Sequence, residues 1–225
     1  MKSWFFALAL SALFILPVNS QEIITADRFL QMVSDHYATI RDYEADIVVR
    51  SGNAVMPGTI SYLAPSSVRI DFTQPANQVI LFTGDALTVF LPELRVVLNQ
   101  NVGGNRFAGA NLATAEGLTL LRRNYIPTFV TGPGPVNLDA NSQEQVIQLR
   151  LTRRNVSEGF REIILSVNPE TNMIRRIAGT TIAWVNVQFD FTNVRVNQGI
   201  PEMRFVYTPP AGASTIHNFM FRDAN

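Results

Sequence analysis

The longest continuous pattern of apolar and polar positions in the chain runs from Gly58 to Phe90. Val68, Ile70 and Phe72 alternate there with Arg69, Asp71 and Thr73, the period of a strand with one apolar and one wet face. Pro65-Ser66-Ser67 turns the chain before that strand, and Thr73-Gln74-Pro75 ends it. Two further apolar runs, Asn77–Phe82 and Ala86–Phe90, flank Thr83-Gly84-Asp85, a hairpin signal. The stretch predicts a meander of antiparallel strands. Period-two alternation puts Ile70, Phe72, Leu81 and Val89 together on its apolar face.

The same reading extends to the rest of the chain. Strands are predicted over Tyr43–Arg50, Leu94–Leu98, Val146–Thr152, Arg161–Val167 and Met173–Gly179. Val185, Val187, Phe189 and Phe191 alternate with Asn186, Gln188, Asp190 and Thr192, the cleanest two-faced strand in the protein. Phe205–Gly212 is expected to close the sheet. Helical spacing occurs twice. In Ala26–Arg41, Phe29, Leu30, Val33, Tyr37 and Ile40 form one stripe, Thr25 is a candidate N-cap, and Asp27 suits the first turn. In Phe107–Arg123, Leu112, Ala115, Leu118 and Leu121 carry the stripe, while Gly109 and Gly117 each weaken the helix by about 1 kcal/mol relative to Ala. Such softness fits a cover better than a core strut. Asn99–Gly104 and Thr131–Pro135 read as loops, and no internal repeat is present.

Composition narrows the classes. With 225 residues, 47% of them hydrophobic, the chain can bury one sizeable core, and one domain over 21–225 is expected. Charged residues are only 16% of the chain, below the usual quarter, which suits a protein with an internal apolar surface. A formal net charge of zero gives no basic surplus for nucleic acid. Lys2 followed by the apolar run Trp4–Leu16, Pro17 and the small residues before Gln21 reads as a secretory signal over 1–20. The run is short for a membrane span. The chain has no cysteine, hence no disulfide framework and no thiol to carry a lipid at the cleavage site. After cleavage seventeen arginines face eighteen acids. The pairs Arg122-Arg123, Arg153-Arg154 and Arg175-Arg176 read either as solvated faces or as docking points for acidic partners or lipid headgroups.

Reactive chemistry is sparse. The two histidines, His36 and His217, are far apart, and there is no cysteine to help them hold zinc. No nucleophile elbow and no phosphate-binding loop occurs. Nothing here calls for a cofactor or marks an enzyme. What the chain does have is more half-apolar strand faces than two helices can cover, so they form either a packed core or the lining of a cavity.

The order of features resembles the periplasmic outer-membrane lipoprotein carrier (LolA) family. It is carried by the Gly58 strand, the Pro65 turn, Arg69-Ile70-Asp71-Phe72, Gln74-Pro75, the Gly84-Asp85 hairpin leading to Phe90-Leu91-Pro92, and the terminal Phe205…Pro209-Pro210-Ala211-Gly212. The resemblance spans about Ala26 to Ile216 and implies an α+β fold: an open, strongly curved antiparallel β-sheet, an incomplete barrel, whose apolar concave face is covered by helices. It further implies an apolar ligand site at Val68, Ile70, Phe72, Ile80, Leu81 and Val89, with lid residues Leu112, Leu118 and Leu121 and no cofactor. The implied function is a periplasmic carrier, monomeric, that shields the acyl chains of lipoproteins between an inner-membrane release complex and an outer-membrane receptor. A lipid- or peptide-binding periplasmic sensor on the same scaffold is the alternative. Two positions depart from the family pattern. Ala64 stands where an arginine would lock the lid, and Val68 where an aromatic side chain would help hand cargo on. The lid is therefore expected to be held mainly by apolar contacts from Leu112, Leu118 and Leu121.

Overall fold

The computed structural model describes residues 24–102 and 112–219. The predicted signal over 1–20 and the part of the predicted second helix that holds Phe107 and Gly109 lie outside the described residues. Helix α1 spans Ala26–Ala38, and Thr25 Oγ1 accepts a hydrogen bond from the Arg28 N–H at 3.2 Å, as its capping role predicts. Helix α2 spans Ala115–Asn124 and starts later than its apolar spacing suggests, because Thr114 caps it by accepting from Gly117 N–H at 3.0 Å.

Six strands follow α1: β1 (Asp42–Ser51), β2 (Ala54–Leu63), β3 (Ser67–Phe72), β4 (Val79–Thr83), β5 (Ala86–Leu91) and β6 (Val96–Asn101). After α2 come β7 (Tyr125–Phe129), β8 (Val136–Asn137), β9 (Gln145–Arg153), β10 (Phe160–Val167), β11 (Ile174–Thr181), β12 (Asn186–Val196) and β13 (Ser214–His217). Their order across the sheet is β13-β6-β5-β4-β3-β2-β1-β12-β11-β10-β9-β7, with β8 beside β9. Two meanders are thus joined through the β1–β12 pair. The two edge strands, β13 and β7, do not pair with each other, so the sheet curves without closing into a barrel. One apolar core links α1, α2 and the inner face of both meanders.

Close approach within the sheet rests on Gly58. A Cβ there would sit 2.4 Å from the Asp71 carbonyl oxygen and 2.9 Å from Phe72 Cα, so β2 and β3 cross at this point only because glycine has none.

Three expectations are corrected. The predicted loop over Asn99–Gly104 begins later, since β6 runs through Asn101. The predicted strand over Leu94–Leu98 starts later, at Val96, and Tyr125–Phe129 after α2 is a strand for which no expectation was made. Phe205–Gly212 adds no strand. After a 3-10 turn at Glu202–Phe205 it lies as a strap across the outer face, and only Ser214–His217 joins the sheet, parallel to β6. The strap is held by charge. Arg69 donates to Asp71 Oδ1 at 2.8 Å and to the Arg204 carbonyl at 3.0 Å, while Arg204 reaches the other Asp71 oxygen at 2.6 Å. Two prolines at Pro209-Pro210 explain why this segment cannot donate a full ladder.

A second polar cluster lies on the outer face of the other meander. The buried carboxylate of Asp190 accepts from Arg50, from Arg176 at 2.5 Å and from Gln188 at 2.7 Å. Arg176 also binds Asp139 at 2.7 Å and holds that carboxyl below the usual carboxylate range.

Candidate ligand-binding face

The register of the first meander decides which side chains share a face. Val68 lies opposite Tyr62 and Phe82, Ile70 opposite Ile60 and Ile80, Phe72 opposite Gly58, and Ile80 opposite Val89. Directly opposed residues in an antiparallel pair point to the same side. Val68, Ile70, Phe72, Ile80 and Val89 therefore lie together on the inner, concave face, the first three buried and the last two half-buried against the core. Leu81 is a correction. It pairs with Arg69 and Thr88 and lies on the outer face. Val79-Ile80-Leu81-Phe82 is an unbroken apolar run, so alternation could not choose its inward residues, whereas the Arg and Asp of β3 fixed that strand at once.

The apolar lining continues across the seam between the meanders. Ile47 of β1 opposes Phe191, and Val49 opposes Phe189 of β12, which in turn opposes Ile177 of β11. Leu112 and Ala113, just before α2, sit on this surface. Together with Ile47, Ile60, Ile70, Ile177, Phe189 and Phe191 they enclose a void of about 10 Å³, room for one water at most. Leu118 and Leu121 of α2 are buried in the same core. Of the three predicted lid leucines, Leu112 lies on the predicted face, while Leu118 and Leu121 belong to α2, which packs chiefly against α1 and β7.

A row of tyrosines, which sequence reasoning passed over, borders that plug. Tyr37 of α1 meets Tyr43 edge-on at 6.5 Å, and Tyr43 meets Tyr62 at 5.2 Å. Tyr43 donates from its hydroxyl to the Ala113 carbonyl at 3.1 Å. Tyr62 donates to the Pro65 carbonyl at 3.2 Å, and the Tyr37 hydroxyl accepts from Ile174 N–H at 3.0 Å. Burial pushes the Tyr37 and Tyr43 phenols far up, and burial followed by the negative charge of Glu116 raises Tyr62. They stay neutral donors at any physiological pH. The cover is consequently held by a hydrogen bond as well as by Leu112, which adds a polar contact to the mainly apolar hold that was expected. The available signal was parity: Tyr43 shares the inward set of Ala45, Ile47 and Val49.

Ala64 follows β2 in the turn to β3. It lines, with Tyr62, Pro65, Ile40, Ala115 and Glu116, a cleft of about 590 Å³ between the β2–β3 turn and the first turn of α2. Among the described residues no three His, Cys, Asp or Glu side chains gather as a metal site would require. Among the described residues this lining is apolar, which suits burial of an apolar guest.

No family profile matches the chain. It is 22% identical over 177 residues to an outer-membrane lipoprotein carrier protein of Dechloromonas aromatica (strain RCB), an alignment covering 78% of this chain and 79% of that one. Among solved structures it is similar to an uncharacterised conserved protein from Thermus thermophilus, with a TM-score of 0.54 at 11% identity over 83% of this chain and 98% of that chain. It is also similar to MucB, with a TM-score of 0.52 at 12% identity over 81% of this chain and 62% of that chain. The sequence likeness to a lipoprotein carrier agrees with the resemblance read from the residues, and the two solved structures share the fold. Among the described residues no helix is long and apolar enough to cross a membrane.

Proposed function

We propose that this chain is a periplasmic carrier that takes the acyl chains of lipoproteins into the concave face of its sheet and moves them from the inner to the outer membrane. The observation that carries the reading is the continuous inner lining from Val89 to Ile177, apolar across both meanders and covered at its centre by a short segment at Leu112–Ala113. Similarity to a named lipoprotein carrier along most of the chain supports it. The physical task is to keep acyl chains out of water, at about 0.8 kcal/mol per methylene. Burial against Ile70, Phe72, Ile177 and Phe189 offsets that cost, and a cover held by the Tyr43 hydrogen bond and by leucine contacts leaves the guest free to depart. The reading includes no catalytic step, cofactor or metal. An inner-membrane release complex and an outer-membrane receptor are the partners it requires.

Depletion of the protein in its host tests the proposal. Lipoproteins bound for the outer membrane should accumulate in the inner membrane, and protein purified from the periplasm should carry lipid detectable by mass spectrometry. Normal sorting after depletion would overturn the carrier reading.

A further inference from the structure

One end of the second meander presents features that the concave face does not use. The register brings together the tips of β1–β2, β9–β10 and β11–β12 with the C-terminus of α2, since Ser51 opposes Val187, Thr180 opposes Asn186, Glu162 opposes Thr152, and Tyr125 opposes Arg153. The β11–β12 tip is a tight turn. Thr181 N–H donates to the Val185 carbonyl at 2.9 Å, and Trp184 N–H donates to the Thr181 carbonyl at 3.0 Å. Trp184 occupies the last loop position with φ of +61°, the left-handed conformation that this three-residue hairpin loop ordinarily gives to glycine. A bulky aromatic side chain is an uncommon occupant of that region, and strain of this kind gathers where function requires a side chain to be held in place.

What the strained turn does is hold an indole out into water. Trp184 is 72% exposed, and beside it Ile182 is 54% and Val156 of the neighbouring tip 82% exposed. The turn is braced from behind: Ile182 N–H donates to the Gly159 carbonyl at 3.1 Å, and the guanidinium of Arg161 stacks on the indole at 4.0 Å. Arginines surround this apolar tip. Arg122 and Arg123 lie in the last turn of α2, Arg153 ends β9 with Arg154 just beyond it, and Arg161 is the second residue of β10. The carboxylates at the same end are Glu158, bonded to Asn124, and Glu162, already paired with Arg150. In a chain with no net charge, this end is locally basic.

We propose that this end docks on an anionic membrane surface, with Trp184, Ile182 and Val156 entering the headgroup region and the arginines around them meeting lipid phosphates. An exposed tryptophan on a rigid tip, ringed by cations, matches the layered polarity of a bilayer interface, where indoles settle at headgroup level and arginine pairs with phosphate. A protein partner of similar chemistry would need an acidic surface but no acyl boundary. The docking holds whatever guest the concave face takes.

The chain has two tryptophans, and protein made without residues 1–20 keeps only Trp184, which then reports on its own surroundings. Adding vesicles of phosphatidylglycerol and phosphatidylcholine should shift its emission to shorter wavelength and carry the protein into the floating fraction. Vesicles of phosphatidylcholine alone should do so weakly, and added salt should reverse the binding. Trp184→Gly removes the indole while placing the residue this turn favours, so it should fold with a thermal midpoint close to the parent's. Its vesicle binding should fall by about tenfold or more. Arg153→Gln with Arg154→Gln should weaken binding to anionic vesicles without altering binding to neutral ones. Unshifted emission on anionic vesicles would overturn the proposal. So would full vesicle binding by a folded Trp184→Gly variant, or a blue shift elicited by an acidic protein and not by vesicles.

Discussion

Tyr43 joins strand to cover through one hydroxyl. Its bond to the Ala113 carbonyl gives the cover a polar contact in a chain that has Ala64 where the family pattern implies a locking arginine. Tyr43→Phe deletes that bond and keeps the ring packed against Tyr37 and Tyr62. A net loss of about 0.5–1.5 kcal/mol is expected, enough to raise the open population of the cover roughly three- to tenfold. Amide exchange over Ala115–Leu121 should quicken by that factor while exchange in β9 and β10 is unchanged. Equal acceleration everywhere would mean that the bond stabilises the whole fold and has no particular hold on the cover. The same tyrosines set a pH limit. Tyr37 and Tyr43 titrate far above the ordinary phenol value when folded, because burial disfavours the phenolate, and Tyr125 is pushed up to about 12. Unfolded tyrosines ionise near pH 10. Stability is therefore fully present below about pH 10 and is lost as pH rises from there toward the folded values, by about 1.4 kcal/mol per unit for each of the two fully buried phenols. Denaturant midpoints should be flat from neutrality to about pH 9 and then fall, and Tyr37→Phe should blunt the fall.

At the scale of the strand, β3 and β4 show what the pattern could and could not determine. Phe72→Asp places a carboxylate on the buried inner face, costs the protein several kcal/mol, and should abolish uptake of a fluorescent fatty acid even in molecules that remain folded. Leu81→Ala removes a buried group from the outer face of the neighbouring strand. It should cost about 2–5 kcal/mol while leaving the affinity of the folded protein for the probe unchanged. Circular dichroism and probe titration on both variants separate the two faces. Equal loss of binding in both would contradict the register. The face of β3 was legible because Arg69 and Asp71 interrupt its apolar residues. That of β4 was not, because all four residues Val79–Phe82 are apolar and the outer side of this strand is itself covered. Burial of the outer side explains the second miss as well. The strap over Arg69 and Asp71 is fixed by Arg204, a contact across more than 130 positions that no local period encodes. Both helices, most strands and four of the six expected lining residues, Val68, Ile70, Phe72 and Val89, could be read locally, whereas Ile80 and the openness of the sheet came from the family resemblance. The tyrosine latch and the Trp184 turn could not, since each depends on what a remote segment brings beside it.

The whole molecule stores its cover inside its own site. Leu112 and Ala113 occupy the centre of the concave face and leave about 10 Å³, so on the proposed carrier function an acyl chain enters there by displacing them. Guest and plug compete for one surface, and the binding free energy measured for a guest is what remains after the plug has been lifted. Leu112→Ala separates the two terms. Removing this buried side chain should destabilise the empty protein by about 2–5 kcal/mol, since a cavity replaces leucine contacts with Ile47, Ile70 and Phe189. The guest-bound form has already lost those contacts, so the variant should bind a fatty-acid probe more tightly than the parent, and ligand should raise its thermal midpoint by more. A substitution that weakens the fold and strengthens binding is the signature of a plug. If Leu112→Ala lowered stability and affinity together, Leu112 would be part of the guest's lining, and the space for an acyl chain would have to open elsewhere along the inner face.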